Sequence, residues 1–278
     1  VILGLDRQLT PSLTFSGTLV YRKNKDLIET VSRDGIFVPV TGIVPETGQH
    51  VTLYDYLNPG TDTLIATNPK GLFRNYKGAI LTLTKRLKDN WQLMASYVYS
   101  QARGNIDNLD GLNSAYGGNS PGRFLDTPNS LVNADGTLTH DQKHQVKLQG
   151  TYIVQPWNLL LSGNYTYHSG DTWNRRDSCL LVDDGAGGLE CHSFPQGTVR
   201  YFAEQRGSRR LPARNTTDLR AEWGPGIAGG RVGVILDVFN ITNQGRATRV
   251  QDRTGSTFGQ PLNFSDPRQF RLGFRYVL

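Results

Sequence analysis

No stretch of the 278 residues approaches the ~18 consecutive apolar positions that a membrane-spanning helix needs, so any crossing of a bilayer falls to strands. Basic blocks are also missing. The 30 Lys and Arg are interleaved with 24 Asp and Glu, for a net charge of +6, and no run tracks a phosphate backbone, which argues against nucleic acid as a partner. The five histidines (His50, His140, His144, His168, His192) form no His-x-x-x-His or His-Glu-x-x-His pair. Gly-x-Ser-x-Gly and a phosphate-cradling Gly-rich loop are absent too, so neither an enzyme nor a cofactor is expected. Hydrophobic residues make up only 37%, low for a domain built around one dry core. Nothing before Val1 or just after it has the basic and apolar regions of a signal peptide. The chain is therefore expected to be a processed product or a fragment.

What is present is aromatic and periodic. Twelve Tyr, 11 Phe and 4 Trp with modest apolar content suit a wall one residue thick, apolar on one face and wet on the other. Alternation of period two recurs in segments of about ten residues. In 91–100, Trp91, Leu93, Ala95, Tyr97 and Tyr99 share one face, and Gln92, Met94, Ser96, Val98 and Ser100 the other. The last segment alternates Phe270, Leu272, Phe274 and Tyr276 with Arg271, Gly273 and Arg275. Nine strands are predicted at 1–9, 13–31, 74–87, 91–104, 141–154, 158–174, 212–224, 231–241 and 268–278, and VTLYDY (51–56) is a candidate extension strand. Short links at 10–12, 88–90, 155–157 and 224–230 alternate with long Gly/Asn/Asp-rich links near 32–73, 105–140, 175–211 and 242–266. That asymmetry predicts an all-β antiparallel transmembrane barrel segment with short periplasmic turns and long extracellular loops. Trp91, Trp157, Trp223 and Tyr276 fall beside short links or the chain end, as an interfacial belt requires. Nine is an odd number for a closed bacterial barrel, and an open sheet leaves two edges in lipid. The strand count therefore points to a fragment.

Candidate sites are few. Cys179 and Cys191 stand twelve positions apart in CLLVDDGAGGLEC and read as a disulfide candidate of an oxidising compartment; with only His192 beside them they fall short of a zinc site. The stretch NIDNLDG (105–111) is acidic but lacks EF-hand spacing, so a solvated loop is the expected reading and no metal is assigned. Asp141 and His144 are expected to hydrogen-bond to neighbouring strands rather than form a dyad. Asp237 and Asn240 are expected on or near the lumen face, either touching a plug or supplying ordinary lumen polarity. An unknown extracellular ligand is expected to meet rings and fixed charges in the long loops: Tyr54, Tyr56, Tyr116, Trp173, Arg175 and Arg176.

Five stretches carry a resemblance: 4–28 (GLDRQLTPSLTFSGTLVYRKNKDLI), 76–105, 141–175, the pair RLPARNTTDLRAEW and GVILDVFNITNQ, and the closing PRQFRLGFRYVL. In this order they resemble the C-terminal barrel of TonB-dependent receptors, specifically the Oar-like group that carries a carboxypeptidase-regulatory-like domain. Leu278 departs from the usual terminal Phe. The resemblance implies that residues 1–278 are the last nine strands of a barrel of about 22, with a plug and TonB box outside this chain. It further implies an outer-membrane location, TonB, the plug and outer-membrane lipid as partners, and energised uptake of a large substrate. A passive porin-like channel or a surface adhesin are the alternatives.

Overall fold

The computed structural model describes residues 1–106, 127–139, 141–224, 226–227 and 230–277. Nine antiparallel strands follow one another as neighbours in a single meander: β1 Ile2–Thr10, β2 Leu13–Asn24, β3 Arg74–Lys88, β4 Trp91–Gly104, β5 His144–Val154, β6 Leu159–His168, β7 Arg214–Trp223, β8 Gly230–Phe239 and β9 Gln269–Val277. No helix among the described residues is long and apolar enough to cross a membrane, which leaves strand crossing open.

Register explains the alternation. Leu148 opposes both Ala95 and Tyr165, Tyr152 opposes Trp91, Leu219 opposes Gly163, and Leu236 opposes Leu272. Most apolar positions of the nine strands therefore fall on one face and most polar ones on the other, with exceptions such as Met94 opposite Gln149 and Ile235 opposite Glu222 on the polar side. The apolar face is bare: Leu3 and Leu272 are each 63% exposed, and Phe274 is 73% exposed. A continuous greasy face of this extent fits contact with acyl chains.

The short-turn end is built from residues that tolerate the turns. Asp89 and Asn90, at φ 55° and 67°, make the mirror-image turn that matches strand twist, and Asn158 at φ 47° closes the 155–157 turn. Trp91 and Trp223 sit in register with Tyr152 and Leu159 at this end, and Trp157 occupies the turn between β5 and β6. Lys85 lies 3.9 Å over the Trp91 ring and donates to the Lys88 and Trp91 carbonyls at 2.8 and 3.0 Å, its charge drawn back to the rim.

At the other end the long links fold into a cap. The first link forms two hairpins, Glu29–Ser32 with Leu64–Thr67 and Phe37–Ile43 with His50–Tyr56. The third forms the hairpin Leu181–Asp183 with Leu189–Cys191, and Leu181 pairs with Ile43, so two links share one four-stranded sheet. Beneath it lies a dry cluster of Val44, Val51 and Leu53 from the first link and Leu180, Phe194, Val199, Tyr201 and Ala203 from the third.

Several predicted boundaries are corrected. The strand predicted at 13–31 ends at Asn24, because Asp26 takes φ 53° and Glu29–Ser32 starts a separate hairpin. The strand predicted at 158–174 ends at His168; Gly170 lies so close to the Leu211 carbonyl that a side chain would collide, and Thr172–Trp173 pairs instead with Arg209–Arg210. The strand expected from 141 begins at His144. The candidate extension at 51–56 is a strand of the cap sheet.

Candidate functional site: the long-loop cap and the polar face

Tyr54 and Tyr56 lie on the strand His50–Tyr56. Tyr54 is half-buried, and its main chain is bracketed from two other links: its N–H donates to Asn129 Oδ1 at 2.7 Å, and its carbonyl accepts from Asn129 Nδ2 at 2.9 Å and Gln196 Nε2 at 2.8 Å. Tyr56 is buried and its ring packs on Phe37, centroids 4.8 Å apart. Between them Asp55 meets His192 Nε2 at 2.8 Å, a further tie between the first and third links.

Trp173, Arg175 and Arg176 belong to a second cluster, on the third and fourth links. Trp173 packs against Phe258 with ring centroids 5.6 Å apart and planes tilted by 46°, the Arg175 guanidinium lies 3.7 Å over the same Phe258 ring, and Arg209 covers both Trp173 (5.4 Å) and Phe258 (5.2 Å). Glu204 organises this group. It accepts from Arg209 at 2.7 and 3.0 Å and from the Arg175 N–H at 2.7 Å, and Arg175 also faces Glu46 at 3.7 Å. Burial pushes the Glu204 carboxyl up, but the Arg209 and Arg175 hydrogen bonds outweigh it and hold it below the usual glutamate range. Arg176 turns away from this stack to pair with Asp252.

The structure thus brings Trp173 and Arg175 together and leaves Tyr54 and Tyr56 in a different cluster. Tyr116 lies outside the described residues, as do positions 107–111 of the acidic stretch. Phe258, Arg209 and Glu204 were not among the sequence candidates. The RGSRR run at 206–210 is the visible signal for Arg209; nothing in the sequence marks Phe258. Cys179 and Cys191 are bonded to each other, with Cα atoms 5.1 Å apart, and clamp the base of the 181–191 hairpin.

On the polar face of the wall Asp237 is 3% exposed and accepts from Arg220 at 2.6 Å and Arg271 at 2.8 Å, while Arg275 pairs with Glu222. Asn240, at φ 47°, is buried in the bend after β8, donating its main-chain N–H to Asp218 at 2.8 Å and its side chain to the Asp266 carbonyl at 2.8 Å. An open hollow of about 670 Å³ runs along this face past Gln92, Gln149, Asn164, Asp218 and Arg220. Asp141 accepts from the Ala102 N–H at 2.7 Å and from Arg210 at 2.8 Å, whereas His144 Nδ1 meets the Tyr97 hydroxyl at 2.8 Å. Each is spoken for by a neighbouring strand or link. Among the described residues no group of three or more His, Cys, Asp or Glu is placed to hold a metal. The chemistry on offer is stacking, ion pairing and hydrogen bonding.

Neither a protein-family model nor a curated protein sequence matches the chain. Solved structures do. The outer membrane transporter YddB from Escherichia coli aligns over 99% of this chain and 32% of its own, at 14% identity and a TM-score of 0.52. BauA, the ferric preacinetobactin receptor from Acinetobacter baumannii, aligns over 100% of this chain and 29% of its own, at 13% identity and a TM-score of 0.52. The ferric-catecholate import receptor Fiu from Escherichia coli aligns over 99% and 27%, at 11% identity and 0.52. The chain thus spans a third or less of the length of each of these proteins. At such identities the likeness is one of fold, and the fold is that of a bacterial outer-membrane β-barrel.

Proposed function

We propose that residues 1–278 are the C-terminal part of the barrel of a TonB-dependent outer-membrane receptor that takes up a large ligand with energy supplied through TonB. The supporting observation is the nine-stranded meander, apolar on one face and capped at one end, aligned along nearly its whole length with part of a larger outer-membrane transporter. In this reading the short turns face the periplasm, and the bare face of β1–β9 meets lipid. The free edges of β1 and β9 pair with strands outside this chain, and the polar face lines a lumen closed by a plug. The cap faces outward. Its stack of Trp173, Phe258, Arg175 and Arg209 suits an anionic, ring-bearing ligand. The Oar-like grouping rests on the sequence resemblance alone.

The test uses the full-length protein. It is expected to retain the periplasmic domain of TonB in a pull-down and to pass no steady current in a planar bilayer while its plug is in place. Steady current from the intact protein, with no capture of TonB, would replace this reading with a passive channel.

A further inference from the structure

On the bare apolar face, toward the long-link end, β1–β4 form an open hollow of about 350 Å³, lined by Leu3, Leu19, Tyr21, Ala79 and Tyr99, with Lys77 on its rim. Register sets the layout. Leu3 opposes Leu19, Leu19 opposes Ala79, and Ala79 opposes Tyr99, so the small Ala79 side chain makes a floor between larger neighbours. One row nearer the long links Tyr21 opposes Lys77, and in the row beyond that Lys23 opposes Asn75. Lys23 and Lys77 are therefore diagonal cross-strand neighbours on the face that carries Leu19, at a spacing of about 7–8 Å. Both are exposed.

Charge narrows the occupant. Among the described residues neither ammonium has a hydrogen bond or an ion pair. Arg103, opposite Asn75 in the same row, is met by Asp135 at 3.1 Å. The only carboxylate of β1–β4, Asp6, opposes Ser16 on the polar face. Two uncompensated cations thus stand side by side directly above an apolar hollow flanked by two tyrosines. That order of cations, rings and bare carbon matches an amphiphile with an anionic head and acyl chains. A choline head brings a cation of its own and is repelled. A phosphodiester offers a single negative charge, whereas a phosphomonoester carries about −1.5 to −2 at neutral pH and meets both lysines.

We propose that Lys23 and Lys77 bind the head of an acylated phosphomonoester, a membrane lipid with a terminal phosphate, whose chain lies in the hollow over Ala79. Both ammoniums reach one phosphate, and the Tyr21 and Tyr99 rings flank the chain beneath it. The site rests on the proposed reading that this face meets lipid, and it adds to that reading a choice among lipids. A lipid rather than free phosphate is the source, because the hollow offers an apolar surface that an inorganic ion does not use.

The experiment is native mass spectrometry of the full-length protein in detergent, titrated with phosphatidic acid, phosphatidylglycerol and phosphatidylcholine of equal chain length. At pH 8.5 phosphatidic acid is expected to bind about tenfold more tightly than phosphatidylglycerol, and phosphatidylcholine most weakly. At pH 5 the phosphomonoester regains a proton while the lysines keep theirs, so its lead over phosphatidylglycerol is expected to close. The double variant Lys23→Gln with Lys77→Gln is expected to lose the preference, and Lys23→Arg with Lys77→Arg to keep it. Lys147→Gln removes one charge from the polar face instead and is expected to change nothing. Equal binding of the two anionic lipids at pH 8.5, a lead that is unchanged at pH 5, a preference that survives the double Gln variant, an equal loss in Lys147→Gln, or displacement of bound phosphatidic acid by inorganic phosphate would each overturn the proposal. Co-sedimentation of the same protein with phosphatidylcholine vesicles separates the two failures. A protein that enters these vesicles but shows no lipid preference overturns this site alone, and one that stays out of them overturns the membrane reading together with it.

Discussion

Leu272 and Leu53 are both strand leucines, yet one is 63% exposed and the other 0%. The first sits in the wall, where strands are satisfied by their neighbours' main chains and the side chains of one face point at nothing in this chain. The second sits in the cap, where two links separated by four wall strands and a further long link close over a dry cluster. The wall resembles half an interface waiting for an apolar solvent; the cap has a small dry core of its own, built from loops. Its ties are correspondingly diverse: a shared sheet, a disulfide, an Asp55–His192 contact, and Asn129 bracketing the Tyr54 main chain. Gly136 shows how closely the links approach, since a side chain there would collide with the Arg206 carbonyl.

The comparison breaks most visibly under the same substitution in both regions. Leu53→Ala leaves a cavity in the dry cluster and is expected to cost the cap about 2–5 kcal/mol. Hydrogen exchange should report this as lost protection at 37–56 and 176–203, with the wall amides unchanged. Leu272→Ala removes only transfer energy, because acyl chains fill the space, at about 1–2 kcal/mol. Equal losses at the two sites would mean that the cap core is as yielding as lipid. The next largest effect is expected within β8. Leu236→Arg places a charge on the apolar face and is expected to cost about 2–4 kcal/mol in vesicles. Ile235→Arg, one position away and opposite Glu222, should be tolerated in urea titrations of the same vesicles. A reversed order would exchange the two faces.

The two regions also differ in how far the sequence discloses them. All nine wall strands were legible, because period-two alternation and turn chemistry are local signals: DNW at 89–91 announces its turn, and FRLGFRY its two faces. The cap was not. Val44 and Leu180 share one cluster, and Ile43 pairs with Leu181, but such pairings join distant segments and leave no period in either. The same distance hides Phe258 beneath Arg175 and Asp252 beside Arg176. Of the candidate ligand residues, Trp173 and Arg175 prove to be neighbours for a reason the sequence does not carry, the Glu204 carboxylate that receives both Arg209 and the Arg175 N–H.

That carboxylate gives the comparison its finest test, since it titrates in the cap and has no counterpart in how the apolar face of the wall is held. Glu204 is held below the usual glutamate range, burial being outweighed by Arg209 and the Arg175 N–H. A carboxyl depressed in the folded state stabilises that state above its unfolded range, and the contribution fades as pH falls through the folded value. Cap protection at 172–177 and 201–210 should therefore stay level from neutral pH down to the ordinary glutamate range and drop below it. Glu204→Gln removes the charge and is expected to cost about 1–3 kcal/mol at neutral pH. As the solution is acidified the wild-type chain loses the same stabilisation, so the two should converge. Trp173, stacked under Arg209, provides a local fluorescence report of the same change. A gap between the two proteins that stays constant from neutral to acid pH would assign the effect of Gln to packing, and the ion pair would then contribute nothing to holding the cap closed.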